Sequence, residues 1–184
     1  MIKIRHIQPG EVAVAKQLIY RVAHEVYKDK RSLKESMAFY ESRGQLHDMD
    51  DIQQTYFDNH GIFLVMTDDD RLIGTGAIRK LDDGTCELKR LWLLFEYHGK
   101  GLGYRMTQEL LSFAREKGYS RIWLETDRDH QNRAFDFYKR LGFSEIPRYS
   151  VFISKRANNR VLYKHDSEKC ILSTNHSTAT ETAL

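Results

Sequence analysis

The sequence predicts a mixed α/β domain in which a largely antiparallel sheet carries flanking helices. Three observations predict it: an alternating apolar and polar opening ahead of an amphipathic helix, a series of strand-like segments joined by Asp- and Gly-containing turns, and two later helical stripes separated by a buried strand. At 184 residues the length fits one domain, and a compact chain of that size would bury roughly 70% of its unfolded surface. The 41% hydrophobic and 30% charged residues are an ordinary globular mixture.

Met1 to Ile7 alternates apolar and polar residues and reads as a strand. After the Pro9-Gly10 turn, Val12, Ala15, Leu18, Ile19, Val22 and Val26 recur at helical spacing. From Lys28 to Gly61 the pattern loosens. Leu33, Met37 and Tyr40 suggest a short helix, and Asp50 or Asp51 is placed to cap another carrying Ile52, Tyr56 and Phe57. Strand signals follow over Ile62 to Thr67, Leu72 to Arg79 and Thr85 to Phe95, separated by Asp68-Asp69-Asp70 and Asp82-Asp83-Gly84. They predict an antiparallel meander. A helix from about Gly101 to Lys117 places Leu102, Met106, Leu110, Phe113 and Ala114 on one stripe, with Gly118 as its stop. Arg121 to Thr126 reads as a buried strand, and a helix capped by Asn132 carries Ala134, Phe135, Tyr138 and Leu141 up to Gly142. Tyr149 to Ser154 and Arg160 to Tyr163 flank Asn158-Asn159 and predict a closing hairpin. The domain is therefore expected over residues 1–165, with the Ser- and Thr-rich residues 166–184 as a mobile tail.

Several classes are disfavoured by composition. No apolar run exceeds the five residues of Leu91 to Phe95, far below the ~20 needed to span a bilayer, and the alternating start is unlike a secretory signal. Cys86 and Cys170 have no paired spacing with each other or with the scattered histidines, so neither a disulfide framework nor a metal site is expected. A cytoplasmic protein is the expectation. The net charge of +3 comes from interspersed charges without a basic run, so no nucleic-acid partner is expected.

The informative stretch is Leu91-Trp92-Leu93-Leu94-Phe95-Glu96-Tyr97-His98-Gly99-Lys100-Gly101-Leu102-Gly103-Tyr104, which joins a buried strand directly to a helix start. Glycine lets the backbone approach a ligand closely, and the first amides of a helix have no internal acceptors. With Lys100 alongside, a phosphate or pyrophosphate is the natural guest. A glycine turn needed only to dock helix against strand explains the bare motif equally well. A dinucleotide fingerprint fits Gly101 and Gly103, with Glu125 at ~20 residues beyond, but Met106 stands where its third glycine belongs and an antiparallel meander precedes it. The phosphate-loop ending fails, because Lys100 is not followed by Ser or Thr.

Taken together, Glu87-Leu88-Lys89-Arg90-Leu91-Trp92-Leu93, His98-Gly99-Lys100-Gly101-Leu102-Gly103 and Asn132-Arg133-Ala134-Phe135-Asp136-Phe137-Tyr138-Lys139-Arg140-Leu141-Gly142-Phe143 resemble the GNAT family of acetyltransferases. The likeness runs in element order from about Ile2 to Lys164, and His98 stands where the family usually has Gln or Arg. The resemblance implies a mostly antiparallel sheet of about seven strands with a splayed parallel pair at the cofactor site. It also implies acetyl-coenzyme A as acyl donor. The amides of Gly99, Gly101, Leu102, Gly103 and Tyr104 would hold its pyrophosphate, with His98 and Lys100 in the same turn and Asn132 on the next helix. The backbone of Leu91 and Leu93 would pair with the pantetheine arm.

A lysine-like amine, with a pKa of about 10.4, must lose a proton before it attacks a thioester. Glu87 is the candidate base, beside the competing role of a solvated partner for Lys89; Tyr138 matches the family's proton donor to the departing thiolate, beside a packing role. No covalent acyl-enzyme signature or metal requirement appears, so direct attack by a primary amine is expected. The alternatives are a non-catalytic acyl-coenzyme A sensor or interaction module and a nucleotide-dependent oxidoreductase. The acidic residues Glu35, Glu41, Asp48, Asp50, Asp51 and Asp58 offer either a lure for a cationic acceptor or ordinary solvated faces. Family members often pair, which leaves a homodimer open.

Overall fold

The computed structural model describes residues 1–127, 130–146 and 160–166. The alternating opening becomes β1, Ile2–His6, and the first apolar stripe becomes α1, Val12–Val26, whose Ala15, Leu18, Ile19 and Val22 are buried. The loose segment holds α2, Leu33–Glu41, started by a reciprocal cap: the Glu35 amide donates to Ser32 Oγ at 3.3 Å and the Ser32 amide to Glu35 Oε2 at 2.9 Å. A short 3₁₀ turn at His47–Met49 and a wide π-helical turn at Gln53–Phe57 follow. Asp51 caps the latter, accepting from the Gln54 amide at 2.9 Å.

The meander is β2, Ile62–Asp68; β3, Arg71–Asp82; and β4, Thr85–Leu93. Then come α3, Leu102–Glu116; β5, Arg121–Asp127; α4, Asn132–Arg140; β6, Ser144–Ile146; and β7, Arg160–Asp166. They build a seven-stranded sheet in the order β1-β2-β3-β4-β5-β7-β6. Every neighbouring pair is antiparallel except β4 and β5. This is the mixed, mostly antiparallel sheet that the sequence predicts, and it is unlike the repeated parallel winding of a dinucleotide-binding fold.

One apolar core joins the inner face of α1, the central strands, α3 and the Tyr138 and Phe143 rings. Helix α3 sits down on β3 at Gly76, where a Cβ would come within 2.8 Å of Leu110 Cδ1 and 3.1 Å of Met106 Cγ. A side chain at that position would have to displace Leu110 and Met106.

The structure departs from expectation in a few places. Gln131, not Asn132, is the cap position of α4, because the chain enters the helix one residue earlier: the Ala134 and Phe135 amides both donate to the Gln131 carbonyl. Strand β6 is too short for its alternation to register in the sequence. Strand β7 runs through Asp166, which pairs with Arg121. The expected strand over 149–154, the Asn158-Asn159 turn and residues 167–184 lie outside the described residues.

Candidate functional site

The site begins where β4 leaves β5. Parallel pairing runs only from Thr85↔Arg121 to Leu88↔Leu124, while β5 continues to Asp127 against β7. Lys89–Leu93 keeps β3 on one side and, among the described residues, has no strand on the other. Because the Leu94 amide donates to the Ile73 carbonyl at 2.9 Å, the neighbouring Leu93 carbonyl faces the open side. There it meets His98 Nε2 at 2.9 Å, and since a carbonyl only accepts, that nitrogen carries the hydrogen.

Past β4, the turn Phe95–Tyr97 is tied to β2 by the Tyr97 hydroxyl, which donates to Asp68 Oδ2 at 3.1 Å. Lys100 Nζ lies 5.0 Å from the Tyr97 ring centroid, so its charge stays beside the turn. Gly99 and Gly101 have φ of +75° and +74°, a left-handed backbone that favours glycine. Gly101 is also the cap position of α3 and offers no side chain to the helix start, and Arg105 is the first residue whose amide closes a helical bond, to Gly101 O at 3.0 Å. The amides of Leu102, Gly103 and Tyr104 therefore project outward at the positive end of the helix dipole.

Gly103 bears on both explanations of this motif. Its backbone is ordinary helix, and a Cβ there would meet nothing within 4 Å among the described residues. Neither conformation nor packing asks for glycine, unlike at Gly76, and the open space lies over the amides that lack acceptors. Such a cradle suits a diphosphate that must come close to the backbone.

The remaining candidates stand on the two walls. Leu91 and Leu93 line the free edge of β4, contiguous with His98, Gly99, Lys100 and Gly101 to Tyr104. Asn132 opens α4, which packs on β5; its side chain lies outside what the structure describes. Tyr138, on the same helix, is 7% exposed and set edge-on to Phe143 at 5.6 Å, and burial raises its phenol well above the ordinary tyrosine value.

Glu87 lies one residue before the last β4–β5 pair, at the base of the parting. Its Oε2 accepts from Arg79 Nη2 at 2.7 Å and its Oε1 lies 3.5 Å from Lys89 Nζ, the charge partner named for it from the sequence. Burial pushes the Lys89 ammonium below the usual lysine range. The residues opposite Glu87 on either side, Arg79 on β3 and Trp123 on β5, each hold a buried N–H, Nε and Nε1, with no hydrogen-bond partner among the described residues.

Sequence reasoning missed the pairing of Asp48 with Arg90. The Arg90 guanidinium reaches the Asp48 carboxylate through Nε at 3.0 Å and through Nη2, and the Tyr56 hydroxyl donates to the same carboxylate. Burial alone would raise the Asp48 carboxyl, but these hydrogen bonds and the Arg90 charge outweigh it and hold it below the ordinary range. Their spacing of 42 residues leaves no local signal. Of the other acids in that segment, Glu35 bonds Ser32, Asp50 pairs with Lys16, Asp51 caps Gln54 and Asp58 accepts from Gln53. These four acids therefore engage groups of the chain itself.

No helix among the described residues is long and apolar enough to cross a membrane, and no three His, Cys, Asp or Glu residues among them gather as a metal site.

The sequence model of the Acetyltransferase (GNAT) family matches residues 19–143. Human N-acetyltransferase 8B is 34% identical over 104 residues, 53% of this chain and 45% of that protein. An uncharacterized N-acetyltransferase of Mycobacterium tuberculosis is 36% identical over 75 residues, 41% of this chain and 47% of that protein. The chain thus spans about half the length of these curated relatives. Among solved structures, a GNAT-family acetyltransferase of Staphylococcus aureus superposes with a TM-score of 0.76 at 20% identity, covering 91% of this chain and 99% of that one. The PaiA N-acetyltransferase of Thermoplasma acidophilum, crystallised with coenzyme A, superposes at 0.70 with 19% identity, covering 90% and 99%. At such identities the likeness is one of fold.

Proposed function

The chain belongs to the acetyltransferase (GNAT) family, and from that premise we propose that it transfers an acetyl group from acetyl-coenzyme A to a primary amine by direct attack. The observation that carries this is Gly103, a helical glycine that among the described residues has open space at its Cβ, amides without acceptors beneath it and a strand edge without a neighbour beside it.

In this proposal the amides of Gly99, Gly101, Leu102, Gly103 and Tyr104 hold the diphosphate, with Lys100 adding charge. The backbone of Leu91 and Leu93 takes the pantetheine arm as a missing strand would be taken. His98, already donating to the Leu93 carbonyl, braces that edge at the mouth of the turn. Asn132 opens the helix on the opposite wall and contributes to holding the cofactor. Bound acetyl-coenzyme A supplies an activated thioester carbonyl. Tyr138 keeps its proton at Oη, because burial raises its pKa, and delivers it to the departing sulfur. Glu87 Oε1 or Oε2, or a water chain ending there, receives the amine's proton. The Leu93 amide is the donor placed to stabilise charge on the carbonyl oxygen.

Residues 1–165 act as one acetyltransferase domain of a cytoplasmic enzyme, as a monomer or a homodimer, without metal, nucleic acid or membrane as partner. The test is a screen of primary amines with acetyl-coenzyme A, read by mass spectrometry and by free thiol released. A product heavier by one acetyl group, formed with stoichiometric thiol, is expected. Tight binding of the cofactor with no turnover on any amine would point instead to an acyl-coenzyme A sensor.

A further inference from the structure

Strand β4 changes its behaviour at one residue. Against β3 the register shifts between Thr75↔Trp92 and Ala77↔Lys89, so β4 carries one extra residue there. Within that extra stretch Arg90 has φ of +53°, a left-handed conformation that costs a residue with a Cβ about 1–2 kcal/mol. The bulge follows directly on Leu88↔Leu124, the last pair between β4 and β5. A bulge bends and over-twists its strand. Here it lies where the parallel neighbours part.

This conformation is held from both ends of the residue. The Arg90 carbonyl accepts from Thr75 Oγ1 at 2.7 Å, a hydroxyl of β3. The guanidinium, its side chain 16% exposed, donates to Asp48, 11% exposed, and to the Gln45 carbonyl at 2.9 Å. Asp48 is in turn held by the Tyr56 hydroxyl. A bidentate pair removed from water fixes geometry more firmly than a surface pair, because misplacing either partner leaves a buried charge unpaired. The anchor belongs to the 3₁₀ turn at His47–Met49, part of the loose segment between α2 and β2 and not part of the sheet.

We propose that Asp48 and Arg90 form a positioning pair that sets where β4 parts from β5, and so fixes the edge along which the pantetheine arm lies; this rests on the acyl-transfer function proposed above. Neither residue touches the acyl donor. They act through the backbone of Lys89 to Leu93. The coupling also links the segment carrying Asp48 and Tyr56 to the cofactor strand, so a change in one is felt in the other.

The test is calorimetric titration of coenzyme A into the full chain and its variants, well below the lowest melting temperature of the set. Asp48→Ala is expected to weaken coenzyme A binding by about tenfold or more, since the strand edge is no longer fixed. Asp48→Ala combined with Arg90→Gly is expected to recover to within about threefold of wild type, because glycine adopts the left-handed backbone unaided and no charge is left buried. Asp48→Asn, which keeps the side-chain shape, and Arg90→Lys, which keeps the charge but not the two-pronged contact, serve if the alanine variant does not fold, each with an expected weakening of about threefold. A pair that only stabilises the fold would lower the melting temperature of every variant while leaving coenzyme A affinity untouched in those that fold, and that result overturns the proposal. A wild-type chain that ignores coenzyme A overturns the acyl-transfer function itself, and the positioning role with it.

Discussion

Replacing Gly103 by alanine sets protein stability against ligand binding. The added methyl meets nothing within 4 Å among the described residues, and the backbone at that position is already helical. Alanine in a helix interior is favoured over glycine by about 0.8–1.0 kcal/mol, so roughly half of that is expected in the first turn. At about 2–4 °C per kcal/mol for a chain of this size, the melting temperature should rise by roughly 1–2 °C. The same methyl stands over the Leu102 to Tyr104 amides, where a diphosphate would approach. Loss of one charge-assisted hydrogen bond costs about 1.5–3 kcal/mol, which weakens coenzyme A by roughly 10- to 100-fold. Differential scanning calorimetry and titration calorimetry read the two quantities on one sample. A stabilised variant that binds coenzyme A like the wild type would show that the open space above Gly103 takes no ligand.

Other substitutions and conditions test neighbouring steps. Gly101→Ala forces a Cβ into φ of +74° and should lower the melting temperature by roughly 2–8 °C, the reverse of Gly103→Ala, as measured in the same calorimeter. Tyr138→Phe should reduce kcat by about 10²- to 10³-fold with KM for acetyl-coenzyme A little changed; equal kcat in steady-state assays would remove Tyr138 from the chemistry. Because burial raises the Tyr138 phenol, kcat should show no alkaline loss attributable to it below pH ~10. The Asp48 carboxyl is depressed in the folded chain, so its stabilisation is fully present above the ordinary value of about 4 and is lost as pH falls through the lower folded value. The stability difference between wild type and Asp48→Asn, from urea titrations, should therefore stay constant from about pH 5 to 8 and shrink below about pH 4.

What the sequence disclosed was whatever local spacing controls. Ala15, Leu18, Ile19 and Val22 recur at helical period because one face of α1 is buried, and all four are buried. The turn at Asp82-Asp83-Gly84 shows in its residue types, and the Gly84 amide does donate to Asp82 Oδ1 at 2.9 Å. The glycine turn was visible, but only coordinates separate Gly76, closed in by Leu110 and Met106, from Gly103, whose Cβ position is open among the described residues. The Arg90 bulge gave no sign, since an arginine in a left-handed conformation depends on Asp48 and Thr75, both distant in sequence. The same holds for Glu87: its i, i+2 relation to Lys89 was legible, while the stronger contact with Arg79 arises from cross-strand register. The cap of α4 moved to Gln131 because the carbonyl that accepts the first helical bonds matters more there than side-chain preference.

The most direct measurement is a two-dimensional amide spectrum of the labelled chain titrated with coenzyme A. Saturable shifts are expected at Gly99, Gly101, Leu102, Gly103 and Tyr104, accompanied by Leu91 and Leu93 along the free edge of β4. A titration in which those amides stay still, whether nothing moves or the shifts gather elsewhere on the sheet, would contradict the account at its base.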